Sequence, residues 1–229
     1  MTPLVSLLML THNAPEYVER SIRSVRDRTA AVDFELVVVD NASQPPTRQL
    51  VDELHRAGLI DRLLLSDRNT LFAEGNNVAA RMANPDATHF LLLNSDIEVL
   101  RADWLAVLLS QHRRGVSSYG AAMGQPPRAD GWCLLVDADL YRNYGGLDEA
   151  HQWWWSVTKL QATLLRDGYS VRAFHNPSLY IHHFGGKSGD DHRDALGMDV
   201  GPDQVAEWFA GTRPEVIDID QREISQIAR

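Results

Sequence analysis

Apolar runs of strand length alternate with amphipathic segments through the first half of the chain. The runs predict strands at Pro3–Leu10, Phe34–Asp40, Ile60–Ser66 and Phe90–Asn94. Apolar residues at spacings of three and four predict one helix that starts at Pro15 and a second that contains Leu50–Leu54. Two more helices are predicted at Gly75–Ala83 and Ala102–His112. Asn41–Thr47 contains two prolines and predicts a loop. This alternation is typical of an α/β fold with a mostly parallel central sheet flanked by helices.

The second half of the chain is less regular. Strands are predicted at Gly131–Val136, Ser170–Phe174 and Leu179–His183, and helices at Asp137–Tyr144, Val157–Arg166 and Asp203–Ala210. We find no linker, so we expect one domain over residues 1–229. Residues 1–100 would form one half, and residues 101–229 the other half with a C-terminal tail.

Charge and cysteine content exclude some classes of protein. The net charge is −9, which argues against a nucleic-acid binder because such a protein needs a basic face. Cys133 is the single cysteine, so no internal disulfide forms. No run of about 18 apolar residues predicts a transmembrane helix. We expect a soluble, cytoplasmic protein, and a peripheral association with the membrane stays open.

Polar residues follow three of the predicted strands. Ligands of such sheets bind outside the carboxyl ends of the strands, which here are Thr11–Asn13, Asp40–Asn41 and Asn94–Asp96. Asp96 can hold Mg²⁺ or Mn²⁺, or it can cap a following helix. Asp40 can accept hydrogen bonds from a ribose or a base, or it can open an Asx-turn.

Two further clusters carry candidate chemistry. His182 and His183 point to opposite faces of a strand, so one can face a metal while the other packs or is solvated. Trp153, Trp154 and Trp155 cannot all face one core, so some ring surface is available for stacking on a sugar. The alternative is a structural plug beneath a loop. A phosphate-binding P-loop, a dinucleotide fingerprint, a nucleophile elbow and zinc-type Cys–His spacing are all absent from the sequence.

Taken together, these segments resemble the family 2 glycosyltransferases, which have the GT-A fold. The resemblance spans about residues 4 to 188, and its segments occur in the family's order. They are VSLLMLTHNAPEYVERSIRSV, FELVVVDNAS, FAEGNNVAARMA, FLLLNSDIEV, GWCLLVDADLYRNYGGLDEA and LRDGYSVRAFHNPSLYIHHFGGKS. Leu147 stands where the family has an aromatic residue.

The resemblance implies a metal-dependent, inverting transfer of a sugar from a nucleoside diphosphate sugar to an acceptor hydroxyl. Asp96 would bind Mn²⁺ or Mg²⁺ with a histidine of the pair His182 and His183 nearby. The residues expected to bind the nucleotide sugar are Thr11, His12, Asn13, Asp40, Asn41, Asn76, Asn94 and Ser95. Family membership makes UDP- or dTDP-sugars the expected donors. The acceptor, which Trp153–Trp155 would contact, is a glycan, a lipid-linked glycan or another small molecule.

One departure from the family concerns the catalytic base. The acidic pair that usually lies some 13 residues before the Gly-Tyr of the closing segment is replaced by Ser156 and Val157. We therefore expect a displaced base, and the nearest candidates are Asp148, Glu149 and His151. The departure also keeps open an acceptor that needs little assistance from a base, and an impaired or non-catalytic domain that binds nucleotide sugars or glycans. Nucleotidyl transfer is a third hypothesis, and the order of the motifs disfavours it.

Overall fold

The computed structural model describes residues 3–187 and 197–219. Within these residues the strands are β1 (Leu4–Thr11), β2 (Asp33–Asn41), β3 (Arg62–Ser66), β4 (His89–Asn94), β5 (Ile97–Val99), β6 (Gly115–Ser118), β7 (Ala121–Ala122), β8 (Arg128–Ala129), β9 (Cys133–Asp137), β10 (Ser170–Phe174), β11 (Ile181–His183) and β12 (Glu215–Ile217). The helices are α1 (Pro15–Asp27), α2 (Pro45–Arg56), α3 (Leu71–Met82), α4 (Trp104–Gln111), α5 (Ala138–Asn143), α6 (Trp154–Arg166) and α7 (Pro202–Phe209).

Eight strands form one sheet in the order β12-β10-β6-β9-β4-β1-β2-β3. Strand β9 runs antiparallel to β4 and β6, whereas the other neighbours in this sheet are parallel. Alternate side chains of β1 enter two cores, because Leu7 packs in the cluster that contains Ile22 of α1 and Leu8 packs in the cluster that contains Ala79 of α3. The predicted α/β fold, with a mainly parallel sheet flanked by helices, is confirmed.

Several predicted boundaries differ from the structure by two to four residues, and two of the differences change the type of element. Helix α2 begins at Pro45, inside the segment predicted as a loop, because the fixed φ of proline suits the first helical turn and its missing N–H leaves no donor unpaired there. Leu179 lies in a short 3-10 turn (Pro177–Leu179) rather than in a strand, so β11 contains three residues only. Strands β5 to β8 and β12 were not predicted, because two to four residues are too few for a periodic pattern.

A small antiparallel ribbon joins two distant parts of the chain. Strand β5 follows β4 after a two-residue bend, and it pairs with β11 so that Ile97 lies opposite His183 and Glu98 opposite His182. This pairing brings the closing segment of the resemblance against the end of β4, where the candidate metal residue Asp96 lies. The described helices include none with both the length and the apolar character needed to cross a membrane.

Candidate active site

A cleft of about 400 Å³ opens at the carboxyl ends of β1, β2 and β4. Many of the predicted site residues line it, and these are Thr11, His12, Asn41, Asn76, Asn94, Ser95, Asp96, Trp153, Trp154 and His183. Further lining residues were not predicted as site residues, and they include Asn69, Leu71, Phe72, Asp130, Gly131, Trp132, Gly186 and Lys187. The volume falls within the range of small-molecule sites.

Asp96 and His183 form a pair inside this cleft. The Asp96 Oδ1 atom lies 3.2 Å from His183 Nε2, and the Asp96 side chain is 7% exposed. Asn94 Nδ2 lies 3.3 Å from the same imidazole nitrogen. The pair forms because the ribbon of β5 and β11 holds the two residues together, although they are far apart in sequence. No helix starts directly after Asp96, so Asp96 is not the helix cap that the sequence also allowed.

The electrostatic setting favours the ionised form of Asp96. Burial alone would raise the pKa of this carboxyl group, because it disfavours the charged form. The hydrogen bond and charge of His183, with the backbone N–H of Lys187, outweigh burial and hold the pKa below its ordinary value. Asp96 is therefore a carboxylate at neutral pH, which is the form that binds a cation.

Trp132 fixes the orientation of His183. The two rings stack with centroids 4.8 Å apart and an interplanar angle of 11°. Gly120 leaves room for the Trp132 ring to pack against the backbone, since a Cβ atom at that position would lie 2.2 Å from Trp132 Nε1. His182 lies on the other face of β11, where it is exposed and contacts the edge of Phe184. The predicted opposition of the two histidines is confirmed, and His183 is the one that faces the cleft.

The loop after β1 is braced against the loop after β2. His12 Nδ1 donates to the backbone carbonyl of Asn41 over 2.7 Å, and Asn13 Nδ2 lies 3.1 Å from His12 Nε2. Asn13 Oδ1 accepts the backbone N–H of Gln44 over 2.9 Å. Asn13 is thereby used to join the two loops and does not line the cleft, whereas His12 does.

Asp40 is fully buried and does not line the cleft. Its Oδ2 atom accepts the hydroxyl of Thr11 over 3.0 Å, and its Oδ1 atom accepts the backbone N–H of Ser43 over 3.1 Å. Asp40 therefore opens the Asx-type turn that was the alternative reading of this residue. It positions Thr11 and Asn41, which do line the cleft.

The segment before α3 forms a second wall. Asn41 Oδ1 accepts the backbone N–H of Thr70 over 3.2 Å, and Asn41 Nδ2 donates to the carbonyl of Leu71. Leu71 has a φ of 57°, an uncommon conformation for a branched residue. Asn76, one turn into α3, donates to the carbonyl of Phe72 over 2.8 Å.

Two of the three consecutive tryptophans line the cleft, and the third is partly buried outside it. Trp153 and Trp154 line the cleft, and Trp154 is 42% exposed. Trp155 does not line it, because its Nε1 atom donates to the carbonyl of Met198 over 3.1 Å and its ring lies beneath Arg128. Trp153 has a φ of 46°, a strained backbone for an aromatic residue at the start of α6.

The residues predicted as the catalytic base lie outside the residues that line the cleft. Asp148 forms an ion pair with Lys159 and lies 3.0 Å from His151 Nδ1. Glu149 accepts a hydrogen bond from Asn77 Nδ2 over 2.9 Å. Burial would raise the pKa of Asp148, but its hydrogen bonds, first of all that from Lys159, lower the pKa below its ordinary value.

Asp130 is a carboxylate of the cleft that was not predicted. Its Oδ1 atom accepts the N–H of Gly131 over 2.7 Å, and no ion pair holds it among the described residues. Asp130 precedes β9, which runs antiparallel to β4, so the start of β9 lies at the same edge of the sheet as the ends of the parallel strands. The presence of a carboxylate just before the predicted strand was the available signal.

Comparisons with known proteins agree with this architecture. A sequence model of the family described as Glycosyl transferase family 2 matches residues 6–132. The uncharacterized protein y4gI of Sinorhizobium fredii is 30% identical over 127 residues, which are 55% of this chain and 14% of that protein. The O-antigen biosynthesis protein RfbC of Myxococcus xanthus is 30% identical over 114 residues, which are 49% of this chain and 9% of that protein. The chain thus spans a small part of these curated relatives.

Among solved structures, the mannosyltransferase PcManGT of Pyrobaculum calidifontis, in complex with GDP-Man and Mn²⁺, superposes with a TM-score of 0.63 at 20% identity. The match covers 78% of this chain and 56% of that one. At this level of identity the likeness concerns the fold, which is that of the GT-A glycosyltransferases. Because the family model covers more than half of the sequence, the chain belongs to glycosyl transferase family 2.

Proposed function

We propose that this chain transfers a sugar from a nucleoside diphosphate sugar to an acceptor hydroxyl, with inversion and with dependence on Mn²⁺ or Mg²⁺. The observation that carries the proposal is the pair of Asp96 and His183 in a cleft at the strand ends. Family membership supports sugar transfer in general.

The donor set of the cleft fits a divalent cation shared with a diphosphate. Asp96 supplies a carboxylate oxygen, the type of ligand that suits Mn²⁺ and Mg²⁺, and His183 would add one imidazole nitrogen beside it. One or two protein carboxylates suffice for such a cation when the phosphates of a substrate supply further oxygens. A cation bound there supplies positive charge that neutralises the departing diphosphate. The structure of PcManGT with GDP-Man and Mn²⁺ is consistent with this assignment.

The chain's own residues would hold the two ends of the donor. Lys187 belongs to the lining of the cleft, and its ammonium group, which lies over the Tyr17 ring 5.4 Å from the ring centroid, would turn towards a bound diphosphate. Thr11, His12 and Asn41 lie on the side of the parallel strands and would contact the nucleoside. We expect a UDP- or dTDP-sugar, and because PcManGT binds GDP-Man, a GDP-sugar belongs in the same panel of tests.

Asp130 is the carboxylate that we assign as the base. Asp96 and Asp130 are the carboxylates among the described residues that line the cleft, and Asp96 is engaged with His183. In the step we propose, the acceptor hydroxyl oxygen bonds to the anomeric carbon as the bond from that carbon to the diphosphate oxygen breaks. The hydroxyl proton passes to the Asp130 carboxylate. Attack on the face opposite the leaving group inverts the anomeric carbon.

Aromatic surface lies close to this carboxylate in the same cleft. Trp132, Trp153 and Trp154 belong to its lining, and aromatic faces pack against the CH groups of sugars. A glycan acceptor, either free or lipid-linked, would use these faces, and another small molecule with a hydroxyl group could do so as well.

One observation favours binding without transfer as a second candidate function. Ser156 and Val157 occupy the place where the resemblance leads us to expect an acidic pair, and both are buried. A domain that lacks the base would still bind a nucleotide sugar through Asp96 and His183. It would then never release nucleoside diphosphate.

A donor panel with and without Mn²⁺ tests both candidates. A donor at about 100 times its Kd should stabilise the fold by about 2.7 kcal/mol, which a thermal shift detects easily. Release of nucleoside diphosphate in the presence of acceptors then separates transfer from binding. If no metal-dependent stabilisation occurs with UDP-, dTDP- or GDP-sugars, the donor site we propose is wrong.

A matched pair of variants tests the metal residue. Asp96→Asn keeps the shape of the side chain and should weaken Mn²⁺-dependent donor binding by at least about 10-fold, because loss of a ligand should cost no less than loss of its outer partner. Asp86→Asn, at an exposed aspartate beyond the N-terminal end of β4, should bind the donor like the unmodified chain. Equal binding by both variants would contradict the assignment of Asp96.

A further inference from the structure

A second group of possible metal ligands lies at the opposite end of the sheet from the cleft. His89 begins β4, and Asn94 at the other end of the same strand lines the cleft. The two positions are separated by five residue steps, or roughly 17 Å at the rise of a β-strand. The group at His89 is therefore not the pair formed by Asp96 and His183.

Three side chains converge at this distal group, which consists of His89, His112 and Asp137. Their candidate ligand atoms all lie within 4.8 Å of one another. His112 Nε2 lies 3.2 Å from Asp137 Oδ2, and the rings of His89 and His112 meet edge to face with centroids 5.3 Å apart. The side chains of His112 and Asp137 are 6% and 13% exposed, so the group is held mostly within the protein.

Hydroxyl groups hold the far side of each histidine ring. The Thr88 hydroxyl donates its proton to the carbonyl of Leu4 over 2.9 Å, so it can only accept from His89 Nδ1, which lies 2.9 Å away. This arrangement leaves a lone pair on His89 Nε2. His112 Nδ1 lies 2.9 Å from the hydroxyl of Ser117. Histidines that bind metals usually have such a partner on the second ring nitrogen, which fixes the tautomer and the orientation.

The local charge also suits a cation. Arg114 approaches Asp137 to 3.4 Å, but it pairs more closely with Asp139 over 2.6 Å. Two carboxylates and one guanidinium leave one negative charge at the group before an ion binds. The backbone N–H of Gly115 donates to Asp137 Oδ2 over 2.6 Å and orients that carboxylate.

We propose that His89, His112 and Asp137 bind one divalent metal ion of the Zn²⁺ type, and Zn²⁺ is the ion we would use to test the site. Two imidazoles and one carboxylate form a set that suits Zn²⁺ and related ions better than Mg²⁺ or Mn²⁺, which favour oxygen ligands. His89 and Asp137 are paired across β4 and β9, and His112 directly follows α4. The ion would therefore join two strands of the sheet to the end of a helix.

Metal content separates this site from the cleft. After treatment with a chelator and dialysis, each chain should bind about one Zn²⁺ ion, and a large excess of Mg²⁺ should not displace it. Calorimetry and elemental analysis measure the amount bound. Asp96→Asn should retain this Zn²⁺, because the cleft lies at the other end of β4. Loss of the Zn²⁺ from Asp96→Asn would overturn the proposal, and so would the absence of Zn²⁺ uptake by the unmodified chain.

Variants at the distal group complete the test. His89→Ala and Asp137→Asn should weaken Zn²⁺ binding by more than about 100-fold, whereas His175→Ala, at an exposed histidine elsewhere, should not change it. Unchanged affinity in folded His89→Ala and Asp137→Asn proteins would refute the site. If these variants do not fold, the visible spectrum of Co²⁺ bound to Asp96→Asn decides. Intense tetrahedral bands support the site, and an octahedral spectrum refutes it.

Discussion

Replacing Asp130 by asparagine tests the assignment of the base most directly. The side chains have the same shape, and the oxygen of asparagine can still accept the N–H of Gly131, which Asp130 Oδ1 accepts over 2.7 Å. The fold and the donor site should therefore survive the substitution. What disappears is the ability to take a proton from the acceptor hydroxyl.

The expected size of the effect follows from this single loss. General base catalysis contributes about 10²–10⁴-fold to a rate, which corresponds to about 3–5 kcal/mol of barrier. We expect kcat of Asp130→Asn to fall by that factor while the KM for the donor changes little, because Asp96 and His183 are untouched. Asp130→Glu should retain part of the rate, since a carboxylate remains in the cleft.

The assay measures the rate at which nucleoside diphosphate is released from one donor, namely the nucleotide sugar that the thermal-shift panel identifies. Asp148→Asn and Glu149→Gln serve as competing variants, because both residues are candidates from the sequence. The assignment of Asp130 is refuted if Asp130→Asn keeps its kcat while one of the competing variants loses about 100-fold or more. If the unmodified chain binds the donor and never releases nucleoside diphosphate, the proposal of sugar transfer fails as a whole, together with the assignment of Asp130 as the base.

Three further predictions address the surroundings of the site. Gly120→Ala should cost about 1–3 kcal/mol in urea unfolding, because the new Cβ atom would displace Trp132, and it should also weaken Mn²⁺-dependent donor binding. Lys187→Ala should raise the donor Kd about tenfold or more in calorimetry, because the ammonium group would contact the diphosphate. It should lower the unfolding midpoint only slightly, because the lost contact with the Tyr17 ring is worth about 0.5–1 kcal/mol. Asp148 has a lowered pKa, so its contact with Lys159 stabilises the fold above the ordinary carboxyl pKa of 3.8 and is lost as the pH falls through the lowered value. Asp148→Asn should therefore unfold at a lower urea concentration than the unmodified chain at neutral pH, and the difference should shrink below about pH 4. A constant difference across this range would contradict the ion-pair explanation.

The sequence predicted the fold and much of the cleft because both depend on local patterns. Long apolar strands such as β1 and β2 are recognised from a few residues, and the rule about strand ends then selects Thr11, Asn41 and Asp96. Asp40 follows the same rule but is buried behind the cleft, since one of its oxygens accepts the Thr11 hydroxyl of β1 and the other accepts the N–H of Ser43 in the turn after β2. A strand end indicates a neighbourhood and does not say which side chains face the ligand.

The remaining features of the cleft depend on contacts between distant residues. His183 meets Asp96 through two strands of three residues each, which are too short to show a period. The rule about carboxyl ends did not select Asp130, because β9 is antiparallel and the beginning of this strand, rather than its end, reaches the cleft. A sequence does not reveal the direction of a strand until its neighbours are known.

The contact between α6 and the start of β9 explains why a base should come from Asp130. Val157 stands where the family resemblance leads us to expect an acidic residue, and its side chain is 1% exposed. A Cβ atom on Gly131 would lie 2.9 Å from Val157 Cγ2, so the two segments touch at this point. An unpaired carboxylate buried there would cost several kcal/mol, whereas a buried valine stabilises the fold by about 1.5–3 kcal/mol. In the first turn of α6, Ser156 and Val157 are thus buried in the core, whereas Trp154 lines the cleft. The carboxylate next to this contact that lines the cleft belongs to Asp130, on the other side of Gly131.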